Sequence, residues 1–150
     1  MLLQILHMAG DEGGFFCIVD ADDELEPDCF EKMVAYMRSN ALDMAACGSL
    51  FVDADTMKVR GIRNIQSNVI LEGALFESCF PQYYQVMRTH WAKMYRLDVI
   101  KKMNLSNCNI IPYGSDTLFV REALLMSNRV GIMPEALYRY YVYPEVRDYN

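Results

Sequence analysis

Residues 15–19 are a run of five apolar side chains that leads directly into Asp20, Asp22 and Asp23. An uninterrupted apolar run of this length predicts a buried strand, and the abrupt change places three carboxylates at its carboxyl end. Pro27 then opens a helix to about residue 40, with Phe30, Met33, Val34 and Met37 as its apolar stripe. A strand is expected over 43–52, with Gly48 allowing close packing or a bulge. Asp53-Ala54-Asp55 reads as a solvent-facing hairpin turn before another strand from Val59. Further on, the pattern predicts a strand over 65–71, a short helix over 72–80 stopped by Pro81, and a strand over 89–96 with Trp91, Lys93 and Tyr95 on one face. It also predicts a helix over 97–103, a loop over 104–112 and a largely buried helix over 118–128. Ser115 would cap that last helix, and Asp116 sits in its first turn. Strands over 130–133 and 137–142 close the chain. Residues 1–10 look like a helix tail or a disordered start, followed by a turn over 10–14.

Alternation of strands and helices predicts an α/β domain, one unit over residues 1–150. In open α/β sheets ligands sit beyond the carboxyl ends of strands. Asp20 and Asp22 share a side if strand geometry persists, and two carboxylates so placed repel unless a cation lies between them. A divalent ion with oxygen ligands, Mg²⁺ or Mn²⁺, answers this; a solvated acidic turn capping the next helix is the plainer alternative. Asp53 and Asp55 lack that setting and are not expected to bind metal.

Composition narrows the field. The chain is 53% apolar and 23% charged with net charge −6, which argues against a nucleic-acid partner. No apolar run approaches the ~20 residues that span a bilayer. Met1 to His7 lacks a basic leader and cleavage site, so no signal peptide is read. The five cysteines have no Cys-x-x-Cys pairing and suggest reduced thiols in a cytoplasmic protein. His7 and His90 lack cysteine partners at zinc-ligand spacing.

Four segments together resemble family 2 inverting glycosyltransferases of the GT-A fold. Ile18-Val19-Asp20-Ala21-Asp22-Asp23 resembles the family's Asp-x-Asp segment, and Trp91-Ala92-Lys93-Met94-Tyr95-Arg96 its Trp-Asn-Lys-Leu-Tyr-Arg segment. Gly114-Ser115-Asp116-Thr117-Leu118-Phe119 is similar to Gly-Glu-Asp-Thr-x-Phe, and Leu137-Tyr138-Arg139-Tyr140-Tyr141 to the closing Leu-Tyr-x-Tyr strand. The resemblance implies a partial GT-A (Rossmann-like) mixed sheet flanked by helices, without its amino-terminal strands. It implies transfer of sugar from a nucleotide-diphosphate donor, a UDP-sugar first among them, to a saccharide or lipid-linked acceptor in surface-glycan synthesis. Asp22, Asp20 and Asp23 would hold Mn²⁺ or Mg²⁺, Asp20 and Lys93 would lie towards the donor, and Asp116 would be the general base. His90 and Arg139 read as packing or surface residues.

Two positions depart from the family: Ser115 stands for Glu and Ala92 for Asn. The family's amino-terminal portion, with its base-binding acidic residue, finds no counterpart in residues 1–14. The chain is therefore expected to be a fragment, a split remnant completed by a partner chain, or a silent copy serving as an interaction module. Association with the inner membrane face would come through such a partner. A haloacid-dehalogenase-type phosphatase, with Asp20 as nucleophile and Asp22 as acid, shares the strand-Asp-x-Asp mark, but Glu24 stands where that family has Thr or Val.

Overall fold

In this computed structural model residues 2–6, 14–73, 75–104 and 114–143 are described. The expected loop over 105–112, the turn over 10–13 and Cys108 lie outside them. The described strands form one eight-stranded sheet. Its central members are β2 (Phe15–Val19), β4 (Met44–Asp53), β7 (Lys93–Arg96) and β8 (Arg129–Val142). β7 runs antiparallel between β2 and β4, and β4 pairs parallel with β8, so β2, β4 and β8 all run in one direction. The mixed α/β sheet flanked by helices is thus the architecture expected.

Both faces of β2 are covered, which is why it reads as an uninterrupted apolar run. Phe15 and Val19 pack with Met33, Val34 and Met37 of α1 (Cys29–Ser39). Phe16 and Ile18 face the other way, towards Val86 and Met87 of α2 (Leu75–Met87), Val99 of α3 (Leu97–Lys102), and Val120 and Ala123 of α4 (Ser115–Leu125). Each fully buried Met or Val contributes roughly 1.5–3 kcal/mol relative to exposure. Cys17, Cys29 and Cys47 are buried in this core and take part in no disulfide among the described residues.

Several expectations change. The start of the chain is a strand, β1 (Leu2–Leu6), antiparallel to β2 with Leu2 opposite Val19. Leucine favours helix in isolation, but the unpaired edge of β2 offers a ladder that local propensity does not register. That edge of β2 is therefore paired. α2 continues through Pro81 rather than stopping there. Pro81 is exposed, so the carbonyl it leaves without a donor can be hydrated, while Phe80, Tyr83, Val86 and Met87 keep the helix on the core. β6 (Val69–Glu72) is shorter than predicted, and antiparallel to β8.

The two closing strands are one. β8 passes through Pro134 at a register shift, where two steps along β4 from Ala46 to Gly48 face four along β8 from Ile132 to Ala136. Such a bulge is where a strand tolerates proline. Gly48 lies opposite it, and a Cβ there would come 2.8 Å from Asn64 Cβ and 3.2 Å from Ala136 Cα. The expected hairpin turn is present between β4 and β5 (Val59–Arg63), with Asp53 Oδ1 accepting from the amides of Asp55 (3.0 Å) and Thr56 (2.9 Å). Asp53 itself is buried and paired with Arg60. β3 (Glu24–Leu25) joins the far side of β8 at Arg139 and Tyr138.

The strand predicted over 89–96 shortens to β7, and Trp91 and Tyr95 fall on opposite faces. The cause is Ala92, whose φ of 55° lies in the left-handed region and breaks the alternation. Asparagine, which the family often has here, adopts that region readily. A β-branched side chain would not. Ala92→Val is expected to lower unfolding free energy by about 2–3 kcal/mol through backbone strain and crowding, against a change under about 1 kcal/mol for Ala92→Gly. Denaturant titration of the two variants checks this, and equal losses would remove backbone strain as the cause.

Candidate functional site

The site forms where β2 ends. The β2–β7 pairing brings the segment 88–92 beside Asp20, because the strands are antiparallel with Cys17 opposite Met94. α4 begins at the same edge. Gly114, with φ 86°, is the residue before the helix, so Ser115 is already its first residue and makes no side-chain cap. The helix starts three residues earlier than expected and ends at Leu125, leaving Met126 37% exposed. Asp116 stays in the first turn, where the helix dipole favours a carboxylate.

The acidic residues after β2 are not equivalent. The Asp23 amide donates to Asp20 O at 3.1 Å, closing a turn that leaves Asp22 exposed and Asp20 half-buried. Asp23 is turned inward: Tyr138 Oη donates to its Oδ2 at 2.7 Å and the Tyr141 amide to its Oδ1 at 3.0 Å. Tyr138 Oη also accepts from the Asp20 amide at 3.2 Å. Tyr141 Oη donates to Glu24 Oε2 and Arg139 Nε to Glu26 Oε1, so β8 grips the turn along its length. Arg139 is accordingly a packing residue.

Burial raises the Asp20 carboxyl above the usual range, and the charges of Asp116 and Asp22 push it further while His90 opposes them. Burial likewise lifts Asp23, to about 6, outweighing the two hydrogen bonds that favour its anion.

Of the three residues expected to hold a metal, Asp23 already has both carboxylate oxygens engaged, by Tyr138 and Tyr141. Among the described residues no three His, Cys, Asp or Glu side chains gather as a metal cage. Asp20 and Asp22 still suit an ion of the Mg²⁺ type, which takes one or two carboxylates and completes its shell with water and substrate phosphates. The mutual repulsion felt at Asp20 is the feature such an ion would relieve.

Lys93 does not line the donor side as expected. It is 3% exposed, and its Nζ donates to Val86 O at 2.7 Å and Trp91 O at 3.3 Å beneath the site. Burial lowers its ammonium to about 7. Its work is to hold the 88–92 segment on α2. Tyr95 Oη donates to His90 O at 3.0 Å, and Trp91 stacks on Tyr138 and Tyr140 with centroids 4.8 and 5.4 Å away. His90 belongs to the site, contrary to expectation: its Nδ1 lies 3.5 Å from Asp116 Oδ2. A histidine before an aromatic segment gives no such signal in sequence, since the partner is carried by a distant helix. A groove of about 630 Å³ between α2 and α4 is lined by Phe76, Phe80 and Leu124, with no carboxylate among its described lining residues.

Asp23 gives stability a pH dependence opposite to that of an ordinary ion-paired acid. Between about pH 4 and its folded midpoint near 6, the folded chain keeps a proton that the unfolded chain has released. Its contribution is thus complete at the acid end of that window and is lost as pH rises through it. Urea titrations across the window should show Asp23→Asn declining less steeply than the parent. Parallel declines would assign the slope to other groups.

Comparisons with known proteins bear on the family and the fold. The glycosyl transferase family 2 model matches residues 2–112. A protein of Escherichia coli (strain K12) described as an uncharacterized glycosyltransferase, YibD, is 24% identical over 134 residues, 87% of this chain and 39% of that protein. The crystal structure of S. aureus TarS 1–349 with UDP superposes with a TM-score of 0.62 at 23% identity, covering 89% of this chain and 37% of that one. The complex with UDP-GlcNAc gives 0.62 at 21% identity, covering 85% and 34%. The chain spans about two fifths or less of these relatives, and the sheet with its helices is a partial GT-A fold. With the family model matching residues 2–112, the chain belongs to glycosyl transferase family 2.

Proposed function

We propose that this chain carries the metal-binding and acid–base centre for inverting transfer of a sugar from a UDP-sugar to an acceptor hydroxyl. The observation that carries the reading is the convergence of Asp20, at the end of β2, and Asp116, at the start of α4, on His90 at one edge of the sheet. Family membership and TarS structures with UDP and UDP-GlcNAc support a nucleotide-sugar donor. It also leaves the phosphatase reading without support.

Asp22 and Asp20 would hold Mn²⁺ or Mg²⁺ together with the donor diphosphate. When bound, the ion neutralises charge developing on the leaving diphosphate. Asp116 takes the proton of the acceptor hydroxyl, whose oxygen forms a bond to the anomeric carbon as the bond from that carbon to the diphosphate breaks on the opposite face. Surface-glycan synthesis, with a saccharide or lipid-linked acceptor, is the setting proposed. Base recognition would be shared with residues beyond this chain, a partner chain pairing on β1 being one source. Among the described residues no helix is long and apolar enough to cross a membrane.

Calorimetric titration with UDP, with and without Mn²⁺, tests the donor half. Metal-dependent binding that is lost in Asp22→Ala is expected; a folded chain that binds nothing would here mean that the residues beyond this chain are indispensable to the donor site. For the acceptor half, Asp116→Asn should retain UDP and metal affinity while transfer from UDP-GlcNAc falls on the order of 10²–10⁴-fold. Transfer at the parental rate would show that Asp116 is not the base.

A further inference from the structure

Resting on that reading of Asp116, we infer that His90 is a positioning residue whose Nδ1–H holds Asp116 Oδ2 and leaves the other carboxylate oxygen for the acceptor hydroxyl. His90 Nδ1 is buried, lies 3.5 Å from Asp116 Oδ2, and has no formed hydrogen bond. A buried polar atom without a partner is costly, and among the described residues the carboxylate within ion-pair distance of it is that of Asp116. Hydrogen bonds of catalytic groups are often long in unliganded proteins and tighten in the complex.

The surroundings restrict the imidazole to this direction. Its ring meets Phe119 edge-on with centroids 6.2 Å apart, and its carbonyl is held by Tyr95 Oη. Two residues earlier, Arg88 O accepts from Thr117 Oγ1 at 3.2 Å, which ties the first turn of α4 to the same segment. Lys93 supports the segment from below through Trp91 O. Asp116 and His90 are therefore carried by two elements already stitched together on both sides of the pair.

Burial favours the neutral imidazole, against the pull of Asp116 and Asp20. A neutral ring with its proton on Nδ1 can donate to a carboxylate without adding a positive charge beside a cation site. It fixes the carboxylate's orientation while leaving its basicity less depressed than a charged partner would. A ring serving only as packing against Phe119 would need no proton at Nδ1.

The test begins with ¹⁵N NMR of the histidine-labelled full chain at neutral pH. A protonated Nδ1 whose resonance moves in Asp116→Asn is expected; an unprotonated Nδ1 overturns the inference. Kinetics with UDP-GlcNAc then separate positioning from folding. His90→Leu should lose on the order of 10²-fold in kcat, as misplaced catalytic groups do, with donor KM unchanged. His90→Asn, whose amide N–H falls near the place of Nδ1, should recover most of the loss. Equal losses in both variants, or an unchanged kcat in His90→Leu, would refute the assignment. Failure to bind UDP would bear on the donor site alone, and the tautomer would still decide whether His90 donates to Asp116.

Discussion

The hydroxyl of Tyr138 is the point on which this structure turns. It is wholly buried, accepts from the Asp20 amide and donates to Asp23, so one phenol sets both the start and the end of the acidic turn. Burial moves its own ionisation far above the ordinary phenol range, so the hydroxyl keeps its proton and can donate at neutral pH. The same ring supports Trp91 at 4.8 Å. Through one residue of β8, the acidic turn and the segment that carries His90 are held in a common frame. Without that hydroxyl, a buried amide and a buried carboxylate would each lose a partner, which costs more than the bond itself contributes.

Around this frame the chain concentrates negative charge where water is partly excluded. The charge of Asp116 makes Asp20 harder to ionise, and both carboxylates pull the imidazole of His90 towards its protonated form. Such opposed environments are a mark of sites that bind ions or move protons, although structural networks produce them too. Here Asp23 shows the structural case and Asp22 the open one, two residues of a single four-residue turn separated by which way each side chain faces.

Much of this was legible in the chain. The run from Phe15 to Val19, the stripe on α1, the Asp53 turn and the carboxylate in the first turn of α4 follow from local periodicity and turn chemistry. Departures arose where a distant element intervened. β1 formed because β2 had an edge to pair, α2 outlasted Pro81 because its apolar face was buried, and β8 passed Pro134 because the ladder could bulge there. Lys93 was read as a site residue from its neighbours, yet its ammonium serves two carbonyls under the sheet edge.

By itself the sequence determined the class of fold and the order of its core elements, because side-chain type and spacing act over a few residues. Tertiary structure alone decided which carboxylates stay open and which are occupied, and that His90 faces Asp116. Those outcomes depend on contacts between residues far apart in the chain, such as Tyr138 with Asp23, and no local pattern encodes the direction in which a side chain will find its partner.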